Sequence, residues 1–287
     1  MRNLIACLVM ILLLQSGLYS EKRFFEMNHQ EIDSILRDVS SRNLNVTDRI
    51  ALFSEYFLET PYDFKCVGDG PYALMEDYPL VNFQTTNCMS LCEHVLALSI
   101  SDSWDNFFNN LMKIRYKDGM IGMRTRNHYT MADWLPENDW LLESVSAQVA
   151  GEFADSMTRT ISHEEFFKNK GITDLRYVKP NRTLTVPFVP LERFYEVRKH
   201  LRNGDVLALL FKNKENIFSA HMLLVIKRDD EVIIRESSNS NMSTFDTPIS
   251  EWCKSASKKD RYAGIAVMRV LDKLNQPGTI LLPWEIQ

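Results

Sequence analysis

The sequence predicts an α+β protein. Its first half carries apolar residues at helical spacing in segments separated by polar loops. Its last third is dominated by short runs of Val, Leu, Ile and Phe bounded by Gly, Asn and Asp, the pattern of buried strands. Helices carrying a cysteine therefore precede a sheet carrying a histidine, and no internal repeat or low-complexity stretch interrupts that order.

The elements follow in sequence. Met1-Arg2-Asn3 and the apolar run 4–14 read as a secretory signal peptide with cleavage expected after Ser20, leaving a single domain over 21–287 with an elaborated helical and loop region at about 100–200. Ile32, Ile35, Leu36 and Val39 form one helical stripe. A second helix starting at Thr47 carries Ile50, Phe53 and Phe57 and ends at Pro61. Gly68, Gly70, Pro71 and Pro79 make 65–86 a loop that delivers the chain to a helix at Cys88, and 102–112 supplies a further helix through Trp104, Phe107, Phe108 and Leu111. The Gly-, Arg- and aromatic-rich stretch 117–138 reads as a long ordered loop, of the kind that lines a substrate cleft. A short helix at 162–168, a strand at 184–189 and a helix at 191–201 lead to strands at 206–211, 221–226, 232–235 and 264–270, expected to form an antiparallel sheet.

Composition bounds the function. The 287 residues are 45% hydrophobic and 11% aromatic, enough for an ordinary core. A net charge of −5 and no basic stripe argue against a nucleic-acid partner, because nothing is present to displace phosphate counterions. The basic cluster at 254–259 reads as a solvated loop. After the leader no stretch is apolar enough to span a bilayer, so no stable membrane insertion is expected of the mature chain. The spacing of the five cysteines matches no zinc template, and neither metal nor other cofactor is expected. In an oxidising compartment Cys66 and Cys253 are able to pair, and Cys92, one helical turn beyond Cys88, is either a buried apolar residue or a partner for Cys88.

Cys88 carries the strongest chemical signal. Asn87 is a good helix cap and Leu91, Val95 and Leu98 recur at roughly helical spacing, so Cys88 falls in the first helical turn. A helix N-terminus favours negative charge and lowers a thiol pKa, which raises the fraction of attacking thiolate. The competing reading is a small buried residue at a helix start. His221 opens an apolar strand about 130 residues later, and a cysteine at a helix start with a distant histidine on a strand is the papain-like arrangement of nucleophile and base.

Ordered blocks make the pattern specific. Thr60-Pro61-Tyr62 precedes Asn87-Cys88-Met89-Ser90-Leu91-Cys92-Glu93; Ile114-Arg115-Tyr116-Lys117-Asp118-Gly119 leads into Arg124-Thr125-Arg126-Asn127-His128-Tyr129 and Asp133-Trp134-Leu135; Gly204-Asp205-Val206 comes with His221; and Arg235-Glu236-Ser237-Ser238 is followed by Tyr262-Ala263-Gly264-Ile265. On these blocks the chain resembles the N-acetylmuramoyl-L-alanine amidase-like family, a branch of the NlpC-type papain-like cell-wall hydrolases. The departures are Asn87 and Ser90 in place of the family's aspartate and threonine, bulky Met222-Leu223 after the histidine, and Arg235-Glu236 where the family has a third catalytic histidine. Arginine cannot accept the imidazole N–H, whereas Glu236 can, provided the strand register places it on the histidine's face.

The resemblance implies a papain-like fold and a periplasmic or secreted bacterial hydrolase of peptidoglycan fragments that cuts between the muramoyl lactyl group and L-alanine. Cys88 is then the nucleophile, His221 the base and Glu236 its orienting partner. Tyr62 becomes an oxyanion donor and Ser90 part of the substrate site. Arg126 would grip a peptide carboxylate while Tyr129 and Trp134 pack on sugar or stem, the alternatives being a structural ion pair and a loop core; His128 belongs to the same loop. A stem-peptide endopeptidase and a muropeptide-binding pseudoenzyme are the competing functions.

Overall fold

The computed structural model describes residues 22–285; the leader, with Cys7, lies outside the described residues. Capping asparagines set the first helices. Asn28 accepts from the Glu31 N–H and the Glu31 carboxylate accepts in return from the Asn28 N–H, opening α1 (His29–Ser41), which buries Ile32, Leu36 and Val39. Asn45 caps α2 (Val46–Glu55) through the Asp48 N–H, one residue earlier than expected. Next come α3 (Cys88–Ser99) and α4 (Trp104–Arg115). Every residue of α3 from Ser90 to Ser99 is buried, so α3 is the central helix of the layer. Its Glu93 is neutralised inside the core by Arg115 of α4 at 2.7 Å.

The C-terminal half forms one antiparallel sheet of β1 (Leu142–Ser144), β2 (Asp155–Ile161), β3 (Arg182–Pro190), β4 (Val206–Phe211), β5 (Ser219–Arg228), β6 (Glu231–Ser238), β7 (Ser243–Pro248) and β8 (Tyr262–Val270). The strand order is β2-β3-β8-β4-β5-β6-β7, with β1 also on β8. The strand period of two splits the core between its faces. Ala208, Met222, Leu224 and Ala266 pack on the helical layer. Leu207, Leu223, Val225 and Val267 pack beneath α5 (Ile249–Ser257) and the segment 191–201. Gly264 lets β8 approach β3, since a Cβ there would lie 2.2 Å from the Val189 carbonyl oxygen. Among the described residues no helix is long and apolar enough to cross a membrane.

Several expectations are corrected. The basic cluster is the end of α5, where Trp252, Cys253 and Ala256 are buried and the lysines point outward. The expected helix over 191–201 divides into a short helix, Leu191–Phe194, and a 3-10 turn, Glu196–His200. The long loop 117–138 contains a π-helical segment, Thr130–Trp134. Strands β1, β2 and β7 are additional. Strand β2 is polar because it sits at the sheet edge, where Thr158 and Thr160 bond to Thr185 and Thr183 at 2.8 and 2.9 Å.

Candidate active site

Local hydrogen bonding explains where Cys88 sits. Asn87 is extended, and its Oδ1 accepts from the Met89 and Ser90 N–H groups at 3.0 and 2.9 Å. Ser90 Oγ accepts from the Asn87 N–H at 2.9 Å and also bonds to Thr86 Oγ1 at 2.8 Å. This reciprocal cap makes Cys88 the first residue of α3, with its thiol half-buried. The Cys88 N–H, as the first of the helix, has no intrahelical acceptor. Ser90 is only 1% exposed, which corrects its expected substrate contact: its hydroxyl belongs to the cap.

Strand register brings the histidine and its carboxylate together. Val225 pairs with Ile234 and Leu224 with Arg235. Residues two apart share a face, so His221, Leu223 and Val225 face the same side as Ile234 and Glu236. His221 Nε2 lies 2.6 Å from Glu236 Oε2, and Trp252 Nε1–H donates to Glu236 Oε1 at 3.1 Å. Arg235 takes the opposite face, fully buried against α2, where its guanidinium forms a two-pronged pair with Asp246 at 2.7 and 2.8 Å and donates to Ser54 Oγ at 2.7 Å. Arg235 therefore faces away from His221, and the Glu236 carboxylate is the group on its ring.

With Nε2 committed to Glu236, the other ring nitrogen of His221 is left for the Cys88 thiol, to which the histidine hydrogen-bonds. Burial alone would push the Cys88 thiol up. The adjacent imidazolium and the Met222 and Met89 N–H groups outweigh it and hold the thiol below its ordinary value. Burial likewise disfavours charge on His221, but Cys88 and Glu236 on its two sides raise its pKa well above the usual imidazole range. A thiolate–imidazolium pair is the protonation state that this geometry favours. The other described cysteines are different: burial pushes Cys66 and Cys92 up and Cys253 to about 11. All of them are free thiols, so neither Cys66–Cys253 nor Cys88–Cys92 is a disulfide here.

Tyr62 reaches the site through strand-like pairing. The Glu59 N–H donates to the Thr244 carbonyl at 2.8 Å and the Tyr62 N–H to that of Met242 at 2.9 Å, while Tyr62 bridges Thr86 just ahead of the cysteine. Burial and the nearby Cys88 charge raise its phenol, keeping it a protonated donor. His221, Glu236 and Tyr62 line a polar cavity of about 560 Å³ with Asn239, Asn241, Lys259 and Arg261.

The loop residues expected at this cleft are placed elsewhere. Trp134 is fully buried in the helical core, so it cannot pack on a substrate. The Arg126 guanidinium is spent on Asp69 and Glu76 at 3.2 and 3.0 Å. His128 bonds the Met123 carbonyl at 2.7 Å, packs at a tilt against Phe166, and is held neutral by burial, with a pKa of about 4. Tyr129 packs edge-on against His163 and Phe166. An ion pair and an aromatic loop core therefore replace the carboxylate clamp and sugar platform. Their place at the cavity is taken by the β6–β7 turn and the end of α5, whose only sequence signals were the Ser238-Asn239-Ser240-Asn241 turn and the lysine cluster.

Solved structures share the fold that carries this site. A Legionella pneumophila protein of known structure superposes with a TM-score of 0.75 at 21% identity, over 85% of this chain and 94% of its own. An N-acetylmuramoyl-L-alanine amidase from Bacteroides uniformis superposes with a TM-score of 0.61 at 23% identity, over 78% of this chain and 98% of its own. At that identity the likeness is one of fold: helices on an antiparallel sheet. No curated protein matches the sequence. The model of the N-acetylmuramoyl-L-alanine amidase-like family matches residues 52–260, from within α2 through the cysteine helix and α5. With well over half of its length matched, the chain belongs to the N-acetylmuramoyl-L-alanine amidase-like family.

Proposed function

We propose that the protein is a papain-like (NlpC-type) cysteine amidase that hydrolyses the bond between N-acetylmuramic acid and L-alanine in peptidoglycan fragments, in the periplasm or outside the cell. The observation that carries this reading is His221, held by Glu236 on one nitrogen and bonded to Cys88 through the other. Family membership supports the choice of substrate.

In this mechanism Cys88 Sγ attacks the lactyl carbonyl carbon, and the Cys88 N–H and the Tyr62 hydroxyl donate to the developing oxyanion. The tetrahedral adduct collapses as the C–N bond breaks. His221 gives its proton to the departing amine, which leaves a thioester. His221 then takes a proton from water, hydroxide displaces the thiolate, and the sugar acid is released. Glu236 keeps the imidazole oriented and stabilises its charged form. The carboxylate on His221 supports the enzymatic reading over a binding-only pseudoenzyme.

Mass spectrometry of defined muropeptides tests the reading. Separation of the sugar from an intact stem peptide, absent with Cys88→Ala, is the expected result. A shortened stem still attached to its sugar would make the protein an endopeptidase, and no cleavage by the reduced wild type would end the enzymatic reading.

A further inference from the structure

The cavity beside His221 carries more positive charge than the chemistry above uses. Lys259 and Arg261, at the end of α5 and the start of β8, both line it, and among the described residues neither has a carboxylate within ion-pair distance. Arg261 lies over the Tyr262 ring at 4.8 Å, an arrangement that orders the guanidinium without neutralising it. Asp260, between them in sequence, is paired with Lys212 at 2.6 Å. Glu236, the one acidic residue among those lining the cavity, is already satisfied by His221 and Trp252. Asn239 and Asn241 add amide groups to the lining.

The chemistry says which part of a substrate reaches this space. The proton donor to a leaving amine must lie within hydrogen-bond reach of it. The leaving peptide therefore departs on the His221 side, and His221 lines this cavity, while the acyl group stays bonded to Cys88. We propose that Lys259 and Arg261 form a carboxylate-recognising subsite for the leaving peptide, selecting acidic stem peptides over their amidated forms. This assignment rests on the amidase reading for its orientation, and it adds specificity to it. The subsite holds its ligand by two solvent-exposed charge-assisted contacts rather than by a buried clamp. Its effect is accordingly moderate, about tenfold in affinity or KM, and weakens with added salt.

The test pairs two peptides with two proteins. Released stem peptide with its free side-chain carboxylate, and the same peptide with that carboxylate amidated, are titrated calorimetrically into Cys88→Ala and into Cys88→Ala carrying Lys259→Gln and Arg261→Gln. The expected result is that the acidic peptide binds about tenfold tighter than the amide to the first protein and equally to the second. In the active protein the same pair of substitutions raises KM for the acidic substrate and leaves kcat, and both constants for the amide, within about twofold. Lys259→Arg retains the preference. Equal binding of the two peptides by the first protein, or a preference that survives loss of both cations, would overturn the subsite. Because peptide binding is read without turnover, a protein that discriminates the peptides but cleaves nothing refutes the amidase reading and leaves the subsite standing.

Discussion

Two histidine–carboxylate pairs of nearly equal length sit in this molecule, and they do different things. His221 and Glu236 are 2.6 Å apart in the lining of a cavity; His163 and Asp133 are 2.7 Å apart in the core. Asp133 also receives Arg182 at 2.6 Å and Lys179 at 3.4 Å, so its charge is matched by cations, whereas Glu236 has His221 and the neutral Trp252 indole. The contrast lies on the far side of each ring. His221 meets a thiol, whereas the buried Nδ1 of His163 has no hydrogen-bond partner among the described residues. A short histidine–carboxylate contact is therefore compatible with a structural lock and with a poised base. What distinguishes them is the thiol beside His221 and the cavity that His221 and Glu236 line.

The sharpest way to break that contrast is to remove the nucleophile. Cys88→Ala is expected to lower muropeptide hydrolysis by at least about 10⁴-fold with little change in Tm, since the side chain is small and half-buried. Measurable turnover by the alanine variant would sink the assignment of Cys88. Isosteric removal of each carboxylate charge comes next. Glu236→Gln should reduce kcat by about 10²-fold and spare stability. Asp133→Asn should leave kcat within about twofold but cost about 3 kcal/mol, because it unbalances a buried ion cluster, and lower Tm by roughly 10 °C. Thermal melts and steady-state rates on the same preparations read both. If the two variants exchanged phenotypes, the roles assigned to the pairs would be reversed.

Protonation sharpens the same comparison. Cys88 is lowered and His221 raised, so the proposed catalytic ion pair forms as pH rises through the thiol pKa and is lost as pH rises further through the imidazolium pKa. The rate profile should be a broad bell. Glu236→Gln removes one of the two anions that raise His221, so the alkaline limb moves to lower pH while the acid limb moves less. At the structural pair, burial pushes Asp133 up but His163 and the neighbouring cations hold it below the usual carboxylate range. The unfolded carboxylate titrates higher, so this stabilisation is complete above the ordinary carboxylate pKa and is lost as pH falls through the depressed one. Asp133→Asn should flatten the acid side of the Tm profile. The smallest effect is expected at Arg126, whose substitution by Gln should leave KM within about twofold, because Asp69 and Glu76 already occupy its guanidinium.

Much of this was legible in the residues. The cap at Asn87, the first-turn position of Cys88 and the strands bearing His221 and Glu236 are written in local pattern: a capping side chain bonds within its own turn, and an apolar run declares a buried strand. Harder to read were elements whose sequences are polar or short, such as edge strand β2 and α5, because exposed positions tolerate almost any residue. The loop residues Arg126, His128, Tyr129 and Trp134 had the right chemistry for a substrate site. Their partners, Asp69, Glu76, Phe166 and His163, are distant in sequence or belong to a following helix, and no periodicity announces such contacts.

By itself the sequence determined the class of the fold, the helix that presents Cys88 and the strand that carries His221, since each depends on interactions within a turn or along a strand. Tertiary structure alone decided that Glu236 rather than Arg235 faces His221. A residue's face is set by pairing register with the neighbouring strand, and a shift of one position reverses it. The same holds for the split between the two histidine–carboxylate pairs. Only packing brought a thiol to one ring and left the other enclosed, and only packing left Lys259 and Arg261 without a matching carboxylate among the described residues beside the site.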